Sequence, residues 1–285
     1  MRPSARSHSA AGAPLVLVTR PESSGMELAA RLQDLGCAAI WWPAFDLLAP
    51  EDPGALEAVL ARLESFDLAV FVSPAAVRAC GAALRRLGRA WPEGTRIAAV
   101  GAATREAARA ELTGARDAPL LCPPGEQAAM GGTESLIGEL QALQPAARSV
   151  LIVRAQSGRE RLAEWLRAQG AAVEQASAYR RVAHVPDAAQ WESLRRALAQ
   201  GRRLAVLYTS SEAVAALAAQ FEGQTQLGEA LQGSIALCIH ERIEAALRGS
   251  AGRDVRRCGL EPDSIRRALL GKNATQAPRG SAPQA

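Results

Sequence analysis

Residues that bind anions recur where predicted strands give way to helices. Arg20 and Arg154 each follow an apolar run, and a guanidinium group can pair with a carboxylate through two parallel hydrogen bonds. Hydroxyl groups and the free N–H groups of a helix N-terminus also attract negative charge. Hydroxyl-bearing residues of this kind are Ser73, Thr104, Thr209, Ser210 and Ser211. The pattern therefore favours a site for a small molecule with several anionic groups.

These residues share one position in the predicted fold. Each belongs to a loop that leads from the carboxyl end of a strand into a helix, where ligands bind in parallel α/β sheets. Gly101 and Gly158 stand within two of these loops. We expect the loops to line a cleft between two domains. The stretches are Arg20–Ser24, Ser73–Ala75, Gly101–Thr104, Gly132–Ser135, Arg154–Arg159, Thr209–Glu212 and His240–Arg242.

Each candidate residue also has a structural interpretation. A serine or threonine at the start of a helix caps that helix by accepting a hydrogen bond from a backbone N–H group. Arg20 and Arg154 could equally hold a strand-end carbonyl or a structural carboxylate. Arg159, which the pattern places at the start of a helix, opposes the helix dipole unless an anion lies near it. That placement favours a functional role for Arg159.

Strands alternate with helices along the chain, and the whole series is repeated. Alternation of this kind predicts an α/β fold with doubly wound parallel sheets. A repeat of this length predicts two similar domains that arose by internal duplication. The pairs that mark the repeat lie 134 to 138 residues apart and are Arg20 with Arg154, Leu28 with Leu162, Gly36 with Gly170, Ser73 with Ser210, and Thr104 with Arg242.

The composition excludes several broad classes of protein. The net charge of +4 comes from arginines interleaved with glutamates, and the absence of a basic run argues against a nucleic-acid partner. The apolar runs are too short to span a bilayer, and Met1–Ala13 lacks the apolar core of a secretory signal. We therefore expect a cytoplasmic protein without membrane contact. Residues 1–13 and 272–285 are expected to be disordered tails.

Sequence motifs for metals and nucleotides are missing. The five cysteines include no CxxC pair, and the three histidines share no ligand spacing. The glycine patterns of dinucleotide and P-loop sites do not occur, and neither does a nucleophile elbow. We expect free thiols, no metal and no cofactor.

Seven stretches resemble, in order, the uroporphyrinogen-III synthase family of tetrapyrrole biosynthesis. They run from about Leu15 to Leu270, almost the whole of the predicted ordered chain. Each motif is weak alone, whereas their order, spacing and duplication together are specific. The stretches are LVTRP, VFVSPAAV, IAAVGAAT, GTESLIGEL, LIVRAQSGRERLAEWLRAQGAAV followed by AYRR, LYTSSEAV, and PDSIRRAL.

The resemblance implies two α/β domains joined by a two-stranded β ribbon. Domain 1 would comprise residues 14–40 and 181–271, and domain 2 would comprise residues 41–180. The ribbon strands would lie near residues 39–47 and 174–182.

The resemblance also implies a reaction. Hydroxymethylbilane, a linear tetrapyrrole with eight carboxylates, would lose its hydroxyl group as water. Ring D would then attack through its substituted carbon, and a spiro intermediate would lead to uroporphyrinogen III with ring D inverted. Tyr179 matches the family's tyrosine and would be the weak acid near the leaving hydroxyl. Alternatively, Tyr179 packs between the domains with its hydroxyl group bonded to the backbone.

The resemblance assigns carboxylate binding to the strand-end residues. This sequence departs from the family pattern at Ala155, where a glycine often stands, and at Ile239–Arg242, where a GPTT-like turn is common. Arg242 thus occupies a threonine position, although an arginine would still suit a carboxylate. The predicted substrate-binding residues are Arg20, Ser73, Gly101, Thr104, Arg154, Gly158, Arg159, Thr209, Ser210, Ser211 and Arg242.

Two other functions remain open from the residues alone. A binding module or sensor could close on an anionic small molecule without chemistry. A nucleotide-sugar glycosyltransferase would need a longer chain and a phosphate loop that is not found here. We expect a monomer whose partners are the linear tetrapyrrole and, transiently, hydroxymethylbilane synthase.

Overall fold

Eleven strands and eleven helices make up the part of the chain that is described in a computed structural model. The described residues are 12–115, 118–124, 132–143, 145–249 and 254–271. Residues 1–11 and 272–285 of the predicted tails lie outside them, as does most of the predicted loop between Pro123 and Gly132.

The strands follow the predicted alternation with helices. They are β1 Leu15–Val18, β2 Ala38–Trp41, β3 Phe45–Leu48, β4 Leu68–Phe71, β5 Arg96–Ala99, β6 Leu120–Leu121, β7 Ser149–Ala155, β8 Ala172–Ala183, β9 Leu204–Tyr208, β10 Ile235–Cys238 and β11 Asp254–Arg257. The helices are α1 Glu22–Asp34, α2 Pro53–Leu60, α3 Pro74–Arg86, α4 Ala102–Glu111, α5 Thr133–Gln141, α6 Arg161–Ala168, α7 Ala188–Ala199, α8 Glu212–Gln220, α9 Thr225–Gln232, α10 Glu241–Arg248 and α11 Pro262–Leu269.

The chain divides into two compact units. Unit 1 comprises the described residues up to Asp46 together with those from Ala183 onward, and unit 2 comprises Leu47–Val182. The chain therefore passes from one unit to the other within β3 and again at the end of β8. These two strands are neighbours in one sheet.

Unit 1 is built on a parallel sheet of five strands in the order β11-β10-β9-β1-β2. Alternate residues of β1 face opposite sides: Leu15 and Leu17 join one core cluster, and Val16 and Val18 join the other. Helices α7 to α10 cover the first side, and α1 and α11 cover the second. A sheet with helices on both faces confirms the predicted doubly wound architecture.

Unit 2 has the same plan with one further strand. Its sheet runs in the order β3-β8-β7-β4-β5-β6, and the pairs from β8 to β6 are parallel. Helices α2, α3 and α4 pack on one face, and α5 and α6 pack on the other. The parallel order β8-β7-β4-β5-β6 corresponds strand for strand to β2-β1-β9-β10-β11 of unit 1.

Each unit combines strands from both copies of the sequence repeat. In unit 1, β1 from the first copy pairs with β9 from the second, with Val18 opposite Leu207. In unit 2, β7 from the second copy pairs with β4 from the first, with Val153 opposite Phe71. Neither copy therefore contains a complete sheet.

The cysteines are free thiols, as expected from their spacing. Cys80, Cys238 and Cys258 are buried. Burial raises the pKa of the Cys80 thiol to about 12. A thiol in such an environment is inert rather than nucleophilic.

A tight approach fixes the turn that carries Arg20. The Trp41 indole donates a hydrogen bond to the Arg20 carbonyl at 2.8 Å. Helix α1 passes close to this pair at Gly25, where an added Cβ would lie 2.2 Å from the Arg20 carbonyl oxygen and 2.6 Å from the indole nitrogen. Glycine is therefore required at this helical position because neither neighbour can move freely.

We predict that Gly25→Ala destabilises unit 1 although alanine favours helices by about 1 kcal/mol over glycine. The clash should outweigh that gain and lower the free energy of unfolding by more than about 1 kcal/mol, measured by urea denaturation. Gly228→Ala in α9 is the matched control, because the nearest atom to its added Cβ lies at an ordinary 3.9 Å. Gly228→Ala should be neutral or stabilising, and an equal loss in both variants would refute the packing argument.

Candidate active site

The carboxyl edge of the unit 2 sheet gathers several of the predicted site residues. Phe71 at the end of β4 pairs with Val153 of β7 and with Ala99 of β5. Because these strands are parallel and adjacent, the segments that follow them meet at one edge. Ser73, Gly101 and Arg154 therefore share this edge.

Tyr179 of β8 reaches the same edge through its hydroxyl group. Its oxygen lies 3.1 Å from Ser73 Oγ, a hydrogen-bond distance. Its ring is partly buried against the core cluster that includes Ala76 and Val77 of α3. The tyrosine therefore presents an ionisable hydroxyl beside the start of α3, where a side chain is its hydrogen-bond partner.

A β-bulge in β8 explains how Tyr179 comes to face α3. Arg154 lies opposite Ser177, but the next residue, Ala155, lies opposite Tyr179, so that Ala178 is an extra residue in β8. Regular alternation would place Tyr179 on the opposite face from Ala176 and Ala178, yet all three pack against one core cluster. Bulges re-aim side chains in this way.

Gly101 and Thr104 form the first turn of α4 at this edge. Gly101 is the N-cap residue, and its extended backbone starts the helix without a capping side chain. Its carbonyl accepts hydrogen bonds from the N–H groups of Thr104 and Arg105 at 3.1 and 3.0 Å. The Thr104 side chain is buried. Capping by the Thr104 hydroxyl, the structural alternative for this residue, is thus wrong.

Arg154 is buried and belongs to a polar network. Its Nη1 atom donates to Glu160 and to Gln175, and Gln175 Nε2 donates to Glu160 at 2.7 Å. The hydrogen bond from Gln175 and the contact with Arg154 hold the pKa of the Glu160 carboxyl below its ordinary value. These contacts match the structural interpretation of Arg154, in which its guanidinium group pairs with a carboxylate of the protein. Sequence reasoning missed Glu160 and Gln175 because neither follows a recognisable spacing.

The turn after β7 differs from the prediction at Arg159. Helix α6 begins at Arg161 with Glu160 as its N-cap residue, so Arg159 precedes the helix instead of starting it. Arg159 thus lies next to the N-cap residue, and its exposed side chain stands in the turn. Gly158 has a φ of +148°, which side chains other than glycine rarely adopt, and an added Cβ would lie 2.9 Å from Arg154 Nη2.

The carboxyl edge of the unit 1 sheet carries the duplicate residues. Ser210 Oγ accepts a hydrogen bond from the N–H group of Ala213 at 3.2 Å. Thr209 precedes it, and Ser211 takes the N-cap position of α8 without a side-chain cap. Arg242 lies in the first turn of α10, where its N–H group donates to His240 Nδ1 at 3.1 Å. The predicted loops thus fall at one edge of this sheet as well.

Arg20 is the strongest anion-binding candidate in unit 1. Burial lowers the pKa of its guanidinium group from the ordinary value, and the nearby Glu27 carboxylate partly opposes that shift. Among the described residues, the Arg20 side chain has no hydrogen-bonding or ion-pair partner. A desolvated cation without an ion-pair partner favours an anionic ligand. Arg154 differs, because the Glu160 carboxylate neutralises its charge.

A search of the described residues found no group of three or more histidine, cysteine or acidic side chains arranged to hold a metal ion. Within that same part of the chain, no helix combines the length and apolarity needed to cross a membrane.

The chain is similar to proteins of one known family. The family model described as uroporphyrinogen-III synthase HemD matches residues 26–256. The chain belongs to the uroporphyrinogen-III synthase family. A uroporphyrinogen-III synthase from Salmonella typhimurium is 33% identical over 175 residues, which cover 61% of this chain and 68% of that protein. The Proteus mirabilis protein of the same name is 31% identical, over 59% of this chain and 80% of its own length.

Solved structures of family members share the fold. A mutant uroporphyrinogen III synthase from Thermus thermophilus matches 91% of this chain and 100% of its own, with a TM-score of 0.57 and 20% identity. The Helicobacter pylori protein gives a TM-score of 0.53 at 14% identity, over 91% of this chain and 99% of that chain.

In this family member, we predict that Glu160→Gln leaves Arg154 buried without a counter-charge. Loss of one partner of a buried ion pair costs about 3–5 kcal/mol, but Glu160 is half exposed. We therefore expect the variant's free energy of unfolding at pH 7, measured by urea denaturation, to be lower by about 1 kcal/mol. The pKa of Glu160 is lowered in the folded chain, so its stabilising contribution is complete above the ordinary value of 4.5 and is lost as the pH falls through the folded-state pKa. The free energies of unfolding of wild type and variant should therefore converge as the pH falls through that pKa.

The control is Glu192→Gln, because Glu192 pairs with Arg195 and Arg196 on the exposed surface. It should change the free energy of unfolding by less than about 0.5 kcal/mol. If the free energies of unfolding of wild type and Glu160→Gln differed by the same amount at acid pH as at pH 7, the ion pair between Arg154 and Glu160 would be contradicted.

Proposed function

We propose that this chain is a uroporphyrinogen-III synthase, a lyase that cyclises hydroxymethylbilane with loss of water. Inversion of ring D through a spiro intermediate would give uroporphyrinogen III. One observation carries the proposal beyond family membership: the Tyr179 hydroxyl stands at the carboxyl edge of a parallel sheet, beside a helix N-terminus. A weak acid in such a place suits a leaving hydroxyl group.

The reaction asks more of positioning than of acid–base strength. The leaving hydroxyl departs readily from a pyrrole-substituted carbon, and unassisted closure gives the uninverted isomer I. The enzyme must therefore hold the flexible substrate so that the substituted carbon of ring D attacks. Catalysis of this kind is catalysis by orientation. We propose Tyr179 as the group that protonates the departing hydroxyl.

The carboxylates of the substrate would meet cations and backbone donors at the strand ends. We propose Arg20 as the principal cation, because its guanidinium group is desolvated and has no hydrogen-bonding or ion-pair partner among the described residues. Arg242 and Arg159 are exposed and would form weaker contacts. N–H groups near Gly101, Gly158 and Thr209–Ser211 would serve as uncharged donors. Arg154 would act indirectly, by holding the turn around Gly158.

The cellular setting is part of the same proposal. We propose a cytoplasmic monomer that needs no cofactor and receives its substrate from hydroxymethylbilane synthase through a transient contact. The substrate cyclises spontaneously, so a short transfer time would limit the formation of isomer I.

We predict that purified protein converts hydroxymethylbilane, generated in situ by its deaminase, mainly into isomer III. Products would be oxidised and the porphyrin isomers separated chromatographically. Isomer I at the level of a protein-free control, from a folded sample, would refute the enzyme and leave a binding module.

We predict further that Tyr179→Phe lowers kcat roughly 100-fold, at the low end of general acid catalysis because the leaving group departs easily. Tyr208→Phe is the matched control. The chain has only two tyrosines, and Tyr208 is a buried core residue of β9. The offset of the repeat aligns it with Phe71, so unit 2 already holds phenylalanine there. Tyr208→Phe should keep activity, and unchanged kcat in Tyr179→Phe would exclude the acid role.

A further inference from the structure

The Ser73 hydroxyl contacts two groups at the edge of unit 2. It accepts a hydrogen bond from the N–H group of Ala76 at 3.1 Å and lies 3.1 Å from the Tyr179 oxygen. We propose that Ser73 is a positioning residue for catalysis, and that it donates a hydrogen bond to Tyr179 as the tyrosine proton leaves. This inference rests on the proposed function and replaces carboxylate binding as the role of Ser73.

The position of Ser73 is fixed from both sides. It follows β4, all four residues of which are buried, and it is the N-cap residue of the thirteen-residue helix α3. Its backbone is extended, with a φ of −165°, and Pro74 at the start of the helix restricts the chain further. The Oγ atom therefore cannot drift away from the tyrosine.

The distance allows either oxygen to donate, so the direction proposed for the reaction follows from the proton that the leaving hydroxyl needs. A serine hydroxyl has one proton to donate and two lone pairs, and the Ala76 N–H group occupies one lone pair. If Ser73 donates to Tyr179, the tyrosine keeps its own proton for the leaving hydroxyl. If Tyr179 donated to Ser73 instead, that proton would be directed away from the substrate.

Proton transfer makes the serine donor necessary. The tyrosine O–H bond breaks, a new O–H bond forms on the leaving hydroxyl, and the C–O bond electrons depart with the water produced. The resulting phenolate can only accept hydrogen bonds, so Ser73 donates to it. The proton lost from the pyrrole after ring closure returns to the phenolate and restores the tyrosine.

The contact strengthens as the reaction proceeds. A hydrogen bond to a charged oxygen is shorter and roughly twice as strong as one between neutral groups. Only interactions that strengthen toward the transition state raise kcat. The N-terminus of α3, beside Ser73, adds a partial positive charge that also favours the phenolate.

The bulge in β8 supports the assignment independently. The extra residue Ala178 turns Tyr179 to the face of the sheet on which α3 packs. Without it, Tyr179 would point away from Ser73. The bulge and the position of Ser73 together bring the two hydroxyl groups within hydrogen-bond distance.

Substitutions at Ser73 separate the capping role from the donor role. Ser73→Ala removes both, Ser73→Thr keeps both, and Ser73→Asp keeps the cap while offering the tyrosine no proton. We expect kcat for isomer III to fall roughly 10- to 100-fold in Ser73→Ala and at least as far in Ser73→Asp, with KM within about twofold. Ser73→Thr should restore kcat to within a few-fold.

Two further variants complete the experiment. Asp52→Ala removes the cap of α2 in the same unit, where Asp52 accepts from the Ala55 N–H group, and it should leave kcat unchanged. In a Tyr179→Phe background, Ser73→Ala should cause less than about a twofold further loss, because the two residues act as one unit.

Three results would overturn the inference. A raised KM with unchanged kcat in Ser73→Ala would return Ser73 to carboxylate binding. Wild-type kcat in Ser73→Asp would exclude the donor. Equal effects of Ser73→Ala with and without the Tyr179 hydroxyl would show that the residues act separately. Failure of the wild type to form isomer III would instead overturn the proposed function itself, and this inference with it.

Discussion

The pairing of a strand from one copy of the repeat with a strand from the other holds each unit together. In unit 1 the pair is β1 with β9, and in unit 2 it is β7 with β4. The central residues of these strands are completely buried, among them Val16, Val206, Val70 and Val150. Because apolar burial is the main favourable term in folding, each of these strand pairs stabilises its sheet. The pairing also determines which loops share the carboxyl edge of the sheet.

The duplicated scaffold carries different chemistry in its two copies. Arg20 and Arg154 occupy equivalent strand ends, but Arg154 is compensated by Glu160 while Arg20 is desolvated without such a partner among the described residues. The residue that the repeat offset of 134 aligns with Tyr179 is Phe45, which has no hydroxyl group. The residue at the position of Tyr179 therefore differs between the two units.

Periodicity and spacing were sufficient to predict most of the scaffold. The buried runs form strands, and the aligned loops fall at equivalent edges. These signals are local, since each depends on neighbouring residues along the chain. Helix α9 leaves a weak signal in the sequence, because only Leu227 and Leu231 mark its buried face.

The details of the candidate site could not be predicted in the same way. The bulge at Ala178 depends on the register between β7 and β8, and a one-residue shift leaves no mark in the pattern of apolar residues. The partners of Arg154 come from a turn and from the next strand, so their proximity is a property of the folded sheet. The contact between Ser73 and Tyr179 spans 106 residues. The sequence predicts Ser73 as a helix cap, but no sequence pattern predicts its contact with Tyr179.

The proposed reaction is governed by orientation, so that a single hydroxyl group would suffice as the acid. Stabilisation of the transition state requires groups that are already in place when charge develops, since reorganisation at that moment costs free energy. A strand-end loop between a buried strand and a capped helix, such as the one that holds Ser73, meets this requirement. Ser73 illustrates the principle: the hydrogen bond that caps α3 also fixes the oxygen that faces Tyr179. Local helix capping and the geometry of the candidate acid therefore share one oxygen atom, and a change that preserves the first hydrogen bond without the second distinguishes structure from catalysis.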